Sequence, residues 1–173
     1  MEYPNVLNDA NIYVDGENWL GKAEVTIPEI THKVVEMNVM GIAGGMDVPL
    51  VGHIDKLSGS IKFKSVDSEA LKVLFNSSYA PILDIRGAMQ KYDSEEGTIS
   101  TFPIKVTIRG FFKKVKLLGF KQGSDETTDV DYEANYLKIE VDDEEIVEID
   151  KFNYIYRVDG EDLLAEVRET LGM

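Results

Sequence analysis

The chain has 173 residues, 43% of them hydrophobic and 29% charged, a balance that suits one globular domain and excludes a disordered chain or a fibrous repeat. It holds no cysteine and 2 histidines, which excludes disulfide scaffolds, thiolate zinc sites, iron–sulfur clusters and thiol nucleophiles. Its 32 acids against 18 bases give a net charge of −14, which repels nucleic acid phosphates and argues against a nucleic-acid-binding domain.

The opening segment carries acids early and has no apolar run, so it does not read as a signal peptide. No stretch approaches the roughly 18 apolar residues that would span a membrane. The expectation is a protein made and folded in the cytoplasm, with no membrane partner. No linker or repeat interrupts residues 1–173, which read as one domain.

Period-two alternation dominates the chain and marks half-buried strands. Ala23, Val25 and Ile27 alternate with Glu24 and Thr26 until Pro28 ends the run. Residues 34–40 and 81–89 read as strands with weaker patterning. Ile61 and Phe63 alternate with Lys62 and Lys64. Between these, Gly41 to Gly52 (GIAGGMDVPLVG) combines glycines with Ile42, Met46, Val48, Leu50 and Val51, and reads as a long apolar loop. Such side chains are costly to leave in water, so the loop is a candidate for ordering against another chain.

Residues 67–76 show helical spacing, with Asp67 or Ser68 as the cap and Leu71, Leu74 and Phe75 on one face. Ile104, Val106 and Ile108 alternate with Lys105, Thr107 and Arg109; Leu137, Ile139 and Val141 alternate with Tyr136, Lys138 and Glu140. Phe152, Tyr154, Tyr156 and Val158 continue the pattern as a strand. A closing helix follows Asp159 or Gly160, with Glu161 and Asp162 in its first turn and Gly172 as its stop. Its stripe of Leu163, Leu164, Val167 and Leu171, like that of the first helix, is expected to face the core. The fold class is mainly β, an antiparallel sandwich or barrel with one flanking helix and a C-terminal helix.

Charge is segregated along the chain. Residues 98–122 hold 6 bases (Lys105, Arg109, Lys113, Lys114, Lys116 and Lys121) and no acid, while residues 124–150 hold 12 acids against the single base Lys138. Two readings are open. The strands pair inside one molecule and present a solvated surface, or one copy's basic surface meets the next copy's acidic surface head to tail, as in rings and filaments.

Nothing in the sequence demands an enzyme. GIAGG at 41–45 lacks the third glycine of a dinucleotide fingerprint, and no phosphate loop is present. Asp129, Asp131, Glu133, Asn135 and Glu140 fall on calcium-loop positions, but Ala134 stands where the turn wants glycine and the flanks read as strands. His32 and His53 have no nucleophile motif beside them. No catalytic residue, cofactor or metal is assigned.

Several residues occur in an order that resembles a known family. Asn8, Asp15-Gly16, Gly21 and Pro28 lead through TIPEITHK to Lys33; Arg109-Gly110 and Lys121-Gln122-Gly123 follow. Glu148, Ile149, Asp150 and Asn153 then lead into VDGEDLL and a helix ending in LG. The chain resembles the major tail tube proteins of contractile-tailed phages and phage-tail-like bacteriocins over nearly its whole length. That resemblance implies a ring-forming β-barrel subunit whose hexameric rings stack into a hollow tube, a conduit for DNA or ions. It implies self-association, a surrounding tail sheath protein, and baseplate and tail terminator proteins. It also implies a tape-measure protein and DNA in the lumen, without sequence-specific binding. The implied place is the virion tail, or a tail-like particle, assembled in the bacterial cytoplasm.

On this reading Gly41, Ile42, Gly44, Gly45, Met46, Val48 and Leu50 dock onto the neighbouring ring. Lys105, Arg109, Lys113 and Lys114 face Asp142, Asp143, Glu144 and Glu145 of a neighbour. A secretion-system ring protein of the same fold and a monomeric ligand-binding β-barrel are the alternatives.

Overall fold

The computed structural model describes residues 2–16, 18–38, 44–64, 68–117 and 127–173, with the backbone alone at 2–6, 8, 9 and 18–22. The described elements run β1 (Glu2–Val14), β2 (Asn18–Thr26), β3 (His32–Met37), β4 (Met46–Ile54), β5 (Leu57–Phe63), α1 (Ser68–Phe75), β6 (Ile82–Asp93), β7 (Thr98–Lys116), β8 (Thr128–Val141), β9 (Glu144–Asp150), β10 (Ile155–Val158), β11 (Glu161–Asp162) and α2 (Ala165–Leu171).

The pairings form a closed cycle. β1 pairs with β2, β2 with β5, β5 with β8, β8 with β7, β7 with β6, and β6 returns to β1, every step antiparallel. Six strands therefore close a barrel, which removes most of its edges. β8 is long enough to carry two neighbours along its other side: β5 beside residues 128–134 and β9 beside 136–141. From β9 the sheet extends outward through β10 to β11.

Cross-strand rows build the core. Ile12 opposes Ile85, Ile85 opposes Val106, and Val106 opposes Ile139. A second row runs Leu83, Ile108, Leu137, Ile149 and Tyr156, carrying the apolar layer from the barrel into the extension. All five of these are buried. Each large aliphatic side chain so buried contributes about 1.5–3 kcal/mol. Gly110 sits where β7 shifts register against β8, and a Cβ there would run into the Glu133 carbonyl.

Asp15 and Gly16 make the left-handed turn between β1 and β2, with φ of 51° and 81°. The turn is tied down by Asp15 N–H to the Ile82 carbonyl (2.8 Å) and by the Tyr79 hydroxyl to the Asp15 carboxylate (3.0 Å).

Four local expectations are corrected. Residues 46–52 are strand β4, not loop, because they pair with β3 in a two-stranded sheet. Residues 152–154 are a turn rather than strand: the Asp150 carboxylate accepts the backbone N–H groups of Phe152 and Asn153 and the Asn153 amide, and Tyr154 takes φ 52°. Glu161 and Asp162 form the short strand β11, so the closing helix begins only at Ala165. The helix stripes also differ from the pattern. In α1 the buried residues are Ala70 and Leu74 while Phe75 is exposed, and in the closing segment only Leu164 is buried. Leu163, Val167 and Leu171 stay exposed because α2 lies outside the layer that Leu164 completes. Gly172 does stop that helix, in the left-handed conformation.

Candidate assembly surfaces

The β3–β4 hairpin projects from the barrel. Its root is anchored: the Asp55 N–H bonds the Thr31 carbonyl (2.9 Å), the Lys151 ammonium bonds the Asp55 carbonyl (2.8 Å), and His32 meets the Tyr156 hydroxyl at 3.4 Å. Burial lowers the Lys151 pKa at this root. Gly52 has φ 70° and lies against Leu164, where a Cβ would overlap the leucine side chain.

Beyond the root, every residue of β3 is exposed. Val35 opposes Val48 and Met37 opposes Met46, so these four share one apolar face. Glu36 and Asp47 oppose each other on the other face, a like-charged pair that destabilises an isolated hairpin. Leu50 is exposed on β4, Gly44 and Gly45 precede that strand, and Gly41 and Ile42 lie outside the described residues.

The basic and acidic stretches are brought together within the chain. Lys105 opposes Glu140, Arg109 opposes Tyr136, Lys114 opposes Asp131 and Lys116 opposes Asp129 across β7 and β8. Lys113 lies 3.3 Å from Glu133, and Lys105 lies 4.0 Å from both Asp84 and Glu140. Glu145 is paired with Lys138 (3.4 Å) and Arg157 (3.5 Å). Asp142 and Asp143 form a tight left-handed turn (φ 52° and 63°), and Glu144 beside them is exposed. Much of the segregated charge is thus compensated inside one molecule.

Compensation is incomplete at one end. Val141 opposes Ile104, whereas Asp131 opposes Lys114, so the acidic turn at 142–144 and the Lys113–Lys116 stretch sit at opposite ends of the β7–β8 pair. Ten residues of strand separate them, about 33 Å. The turn end is acidic, while Lys113, Lys114 and Lys116 at the other end face Glu133, Asp131 and Asp129.

A polar ladder crosses β6 to β10 on one sheet face. The Thr107 hydroxyl donates to Asp84 (2.9 Å), Tyr136 donates to Glu148 (2.8 Å), and Arg157 also binds Glu148. Burial first, and then the Glu148 bond, push the Tyr136 hydroxyl well above its usual pKa. The Glu140 hydrogen bond raises Lys138.

Sequence reasoning missed one feature. A cleft of about 440 Å³ opens between β1 and β2, lined by Leu7, Val25, Ile85, Met89, Ile104 and Val106 among others. The β1–β2 pairing runs only from Val14–Asn18 to Asn11–Lys22; past that point β2 pairs with β5 and β1 with β6. Alternation marked Val25, Ile104 and Val106 as one face of their strands, but β1 was not read as a strand, and no local pattern shows that two neighbouring strands part.

The comparisons with known proteins agree along the whole chain. Residues 4–172 match the family described as phage tail tube protein FII. The chain is 28% identical to the tail tube protein of Escherichia phage P2 over 176 residues, covering all of both chains. It is 30% identical to the major tail tube protein of Serratia phage KSP20 over 167 residues, 96% of this chain and 94% of that one. Its fold is shared with a chain of the sheath/tube terminator of an extracellular contractile injection system, at 12% identity and a TM-score of 0.57, covering 80% of this chain and 97% of that one. The chain therefore belongs to the phage tail tube protein FII family, as a structural component of the virion tail and not an enzyme.

Proposed function

We propose that residues 1–173 act as one domain that assembles into hexameric rings, and that the rings stack into the inner tube of a contractile tail or tail-like particle. The observation that carries this reading is the projecting amphipathic hairpin on a closed barrel; an exposed acidic turn at 142–144 lies about 33 Å along the β7–β8 pair from Lys113 and Lys114. Lys113 and Lys114 of one copy meet Asp142, Asp143 and Glu144 of the next, with Lys105, Arg109 and Glu145 flanking the contact. The hairpin carrying Met46, Val48 and Leu50, together with Gly41, Ile42, Gly44 and Gly45, docks onto the adjoining ring.

The tube is a conduit for DNA or ions, and its net negative subunits let DNA pass without being held. A tail sheath protein surrounds it, a baseplate and a tail terminator close its ends, and a tape-measure protein and DNA occupy the lumen without sequence-specific binding. The fold shared with a sheath/tube terminator supports that arrangement.

Negative-stain electron microscopy of the purified chain at moderate salt tests the reading. Rings or hollow tubes are expected. A field of monomers, persisting after tube ends or baseplates are added as nuclei, would overturn it.

A further inference from the structure

We propose that a polar cleft beside Arg109 is the seat for the acidic β8–β9 turn of a second copy, with Arg109 as the cation that anchors it. The inference rests on the tube reading above and names where that turn docks.

The cleft holds about 340 Å³ and is lined by Thr107, Arg109, Asn135, Tyr136, Asp150 and Phe152 among others. Three of its groups have no partner of their own. The first is Arg109. Lys105, Lys113, Lys114 and Lys116 each face a carboxylate across β7 and β8, at Glu140, Glu133, Asp131 and Asp129. Arg109 instead lies between Ile82 and Tyr136, and no carboxylate pairs with it among the described residues. Asp150 in the same cleft is already occupied, since it accepts the Phe152 and Asn153 backbone N–H groups and the Asn153 amide.

The second group is Asn135. Tyr136 opposes Arg109 and Ala134 opposes Gly110, so Asn135 is the extra residue of a bulge, a device that re-aims a side chain. Its Oδ1 is buried, and no donor reaches it among the described residues. A buried acceptor left unmet is costly, so this one calls for an N–H. The third group is the Phe152 ring at the lip, 73% exposed.

The β8–β9 turn supplies a match for each. Asp142, Asp143 and Glu144 are exposed, and no cation pairs with them among the described residues. Exposed Asp159 lies beside them, through its N–H to the Ile146 carbonyl (3.1 Å), and adds to the same acidic end. The Asp142 N–H is taken by the Pro103 carbonyl (2.9 Å), whereas the Asp143 N–H meets no acceptor among the described residues. Ile146, 45% exposed, follows Glu144 by two residues on the same face of β9. In the docked contact the turn carboxylates meet Arg109, the Asp143 N–H donates to Asn135 Oδ1, and Ile146 covers Phe152. One chain cannot make this contact with itself, because the four residues from Ile146 to Asp150 span about 13 Å of β9. The contact is therefore heterologous, the kind that closes rings or extends filaments.

The chain has no cysteine, which makes disulfide trapping clean. Phe152→Cys at the cleft is combined in one chain with Glu144→Cys, and separately with Ile146→Cys. Each is assembled, oxidised and run on a non-reducing gel. A ladder of covalent oligomers is expected from both double variants and from none of the single ones. Tubes that form normally but give no ladder with either turn position would overturn the cleft as the seat and leave the tube reading standing. Failure of the unmodified chain to form rings or tubes, even when nucleated, would overturn both.

Arg109→Gln tests the anchor without a trap, with Lys116→Gln, whose lysine opposes Asp129, as the control. The critical concentration for tubes should rise about ten-fold in the first, as for a lost hydrogen bond to a charged group. It should rise less than about two-fold in the control, as for an exposed pair. Equal shifts would refute the proposal, as would a fall in the Tm of the Arg109→Gln monomer, which would show that this charge is met inside its own chain.

Discussion

Reversing the charge of Lys113 and Lys114 gives a sharp test of head-to-tail assembly. In Lys113→Glu/Lys114→Glu, the monomer loses the Lys113–Glu133 pair at 3.3 Å, whose side chains are 44% and 36% exposed. Ion pairs exposed to that degree contribute about 0–1 kcal/mol. Reversal also sets glutamates beside Glu133 and opposite Asp131, so monomer stability should fall by about 1–2 kcal/mol, out of the 5–15 kcal/mol typical of a domain. For a chain of this size that is a Tm drop of roughly 2–8 °C.

The effect between copies is larger, because reversal turns attraction into repulsion. With about 1 kcal/mol lost as attraction and about as much added as repulsion, each contact weakens by roughly 2 kcal/mol. Every 1.4 kcal/mol is a factor of ten, so the critical concentration for tube formation should rise about 30-fold. Pelleting of tubes across a concentration series measures it. Restoring opposite charge with Asp142→Lys/Asp143→Lys in the same chain should recover most of the loss. At 1 M salt, where the screening length is about 3 Å, parent and variant should converge. An unchanged critical concentration in the folded variant, or no recovery in the compensated one, would refute the pairing of Lys113 and Lys114 with the acidic turn.

Further outcomes follow from the same structure. Gly110→Ala places a methyl group against the Glu133 carbonyl and the Ala134 Cα, both backbone, so about 1–3 kcal/mol should be lost; calorimetry should show Tm lower by several degrees, and an unshifted Tm would contradict the packing. Asp162 is held below its ordinary pKa of 3.8, first by the Arg168 hydrogen bond at 2.7 Å. Its contribution is present above pH 3.8 and is lost as pH falls through the lower folded value. The Tm gap between parent and Asp162→Asn should accordingly be widest near neutral pH and close in acid. A gap that is constant with pH would place the effect elsewhere. In the proposed ring, six subunits of net charge −14 repel one another when unscreened, so tubes should shorten as salt is removed; longer tubes at very low salt would count against this account.

Several strands were legible because a single face is buried, although β1 was not read as a strand. Ala23 to Thr26, Ile104 to Arg109 and Leu137 to Val141 alternate because each has one neighbour layer and one wet side, and all three are strands. Local reading failed where contacts distant in sequence, or side-chain bonds, override the pattern. Phe152 and Tyr154 have strand-like spacing, yet the Asp150 carboxylate captures the following amides and turns the chain. Met46 to Gly52 is rich in turn residues, yet β3 pairs with it. The exposed stripe of α2 has the same spacing as a buried one; only the position of Leu164 under Gly52 shows which leucine completes the core.

Composition and spacing alone determined that this chain is mostly β, cysteine-free and acidic, because those properties depend on residue identity and near-neighbour spacing; the tail tube assignment came from its resemblance to a known family. Tertiary structure decided where the charge and the apolar surplus lie. Whether Lys113 meets Glu133 of its own chain depends on the register of β7 against β8, and the closing of six strands into a barrel depends on β7 reaching β8. The apolar cleft exists because β1 and β2 part beyond Asn11 and Lys22. These are relations between residues far apart in sequence, set by the balance of all pairings at once, and no local pattern encodes them.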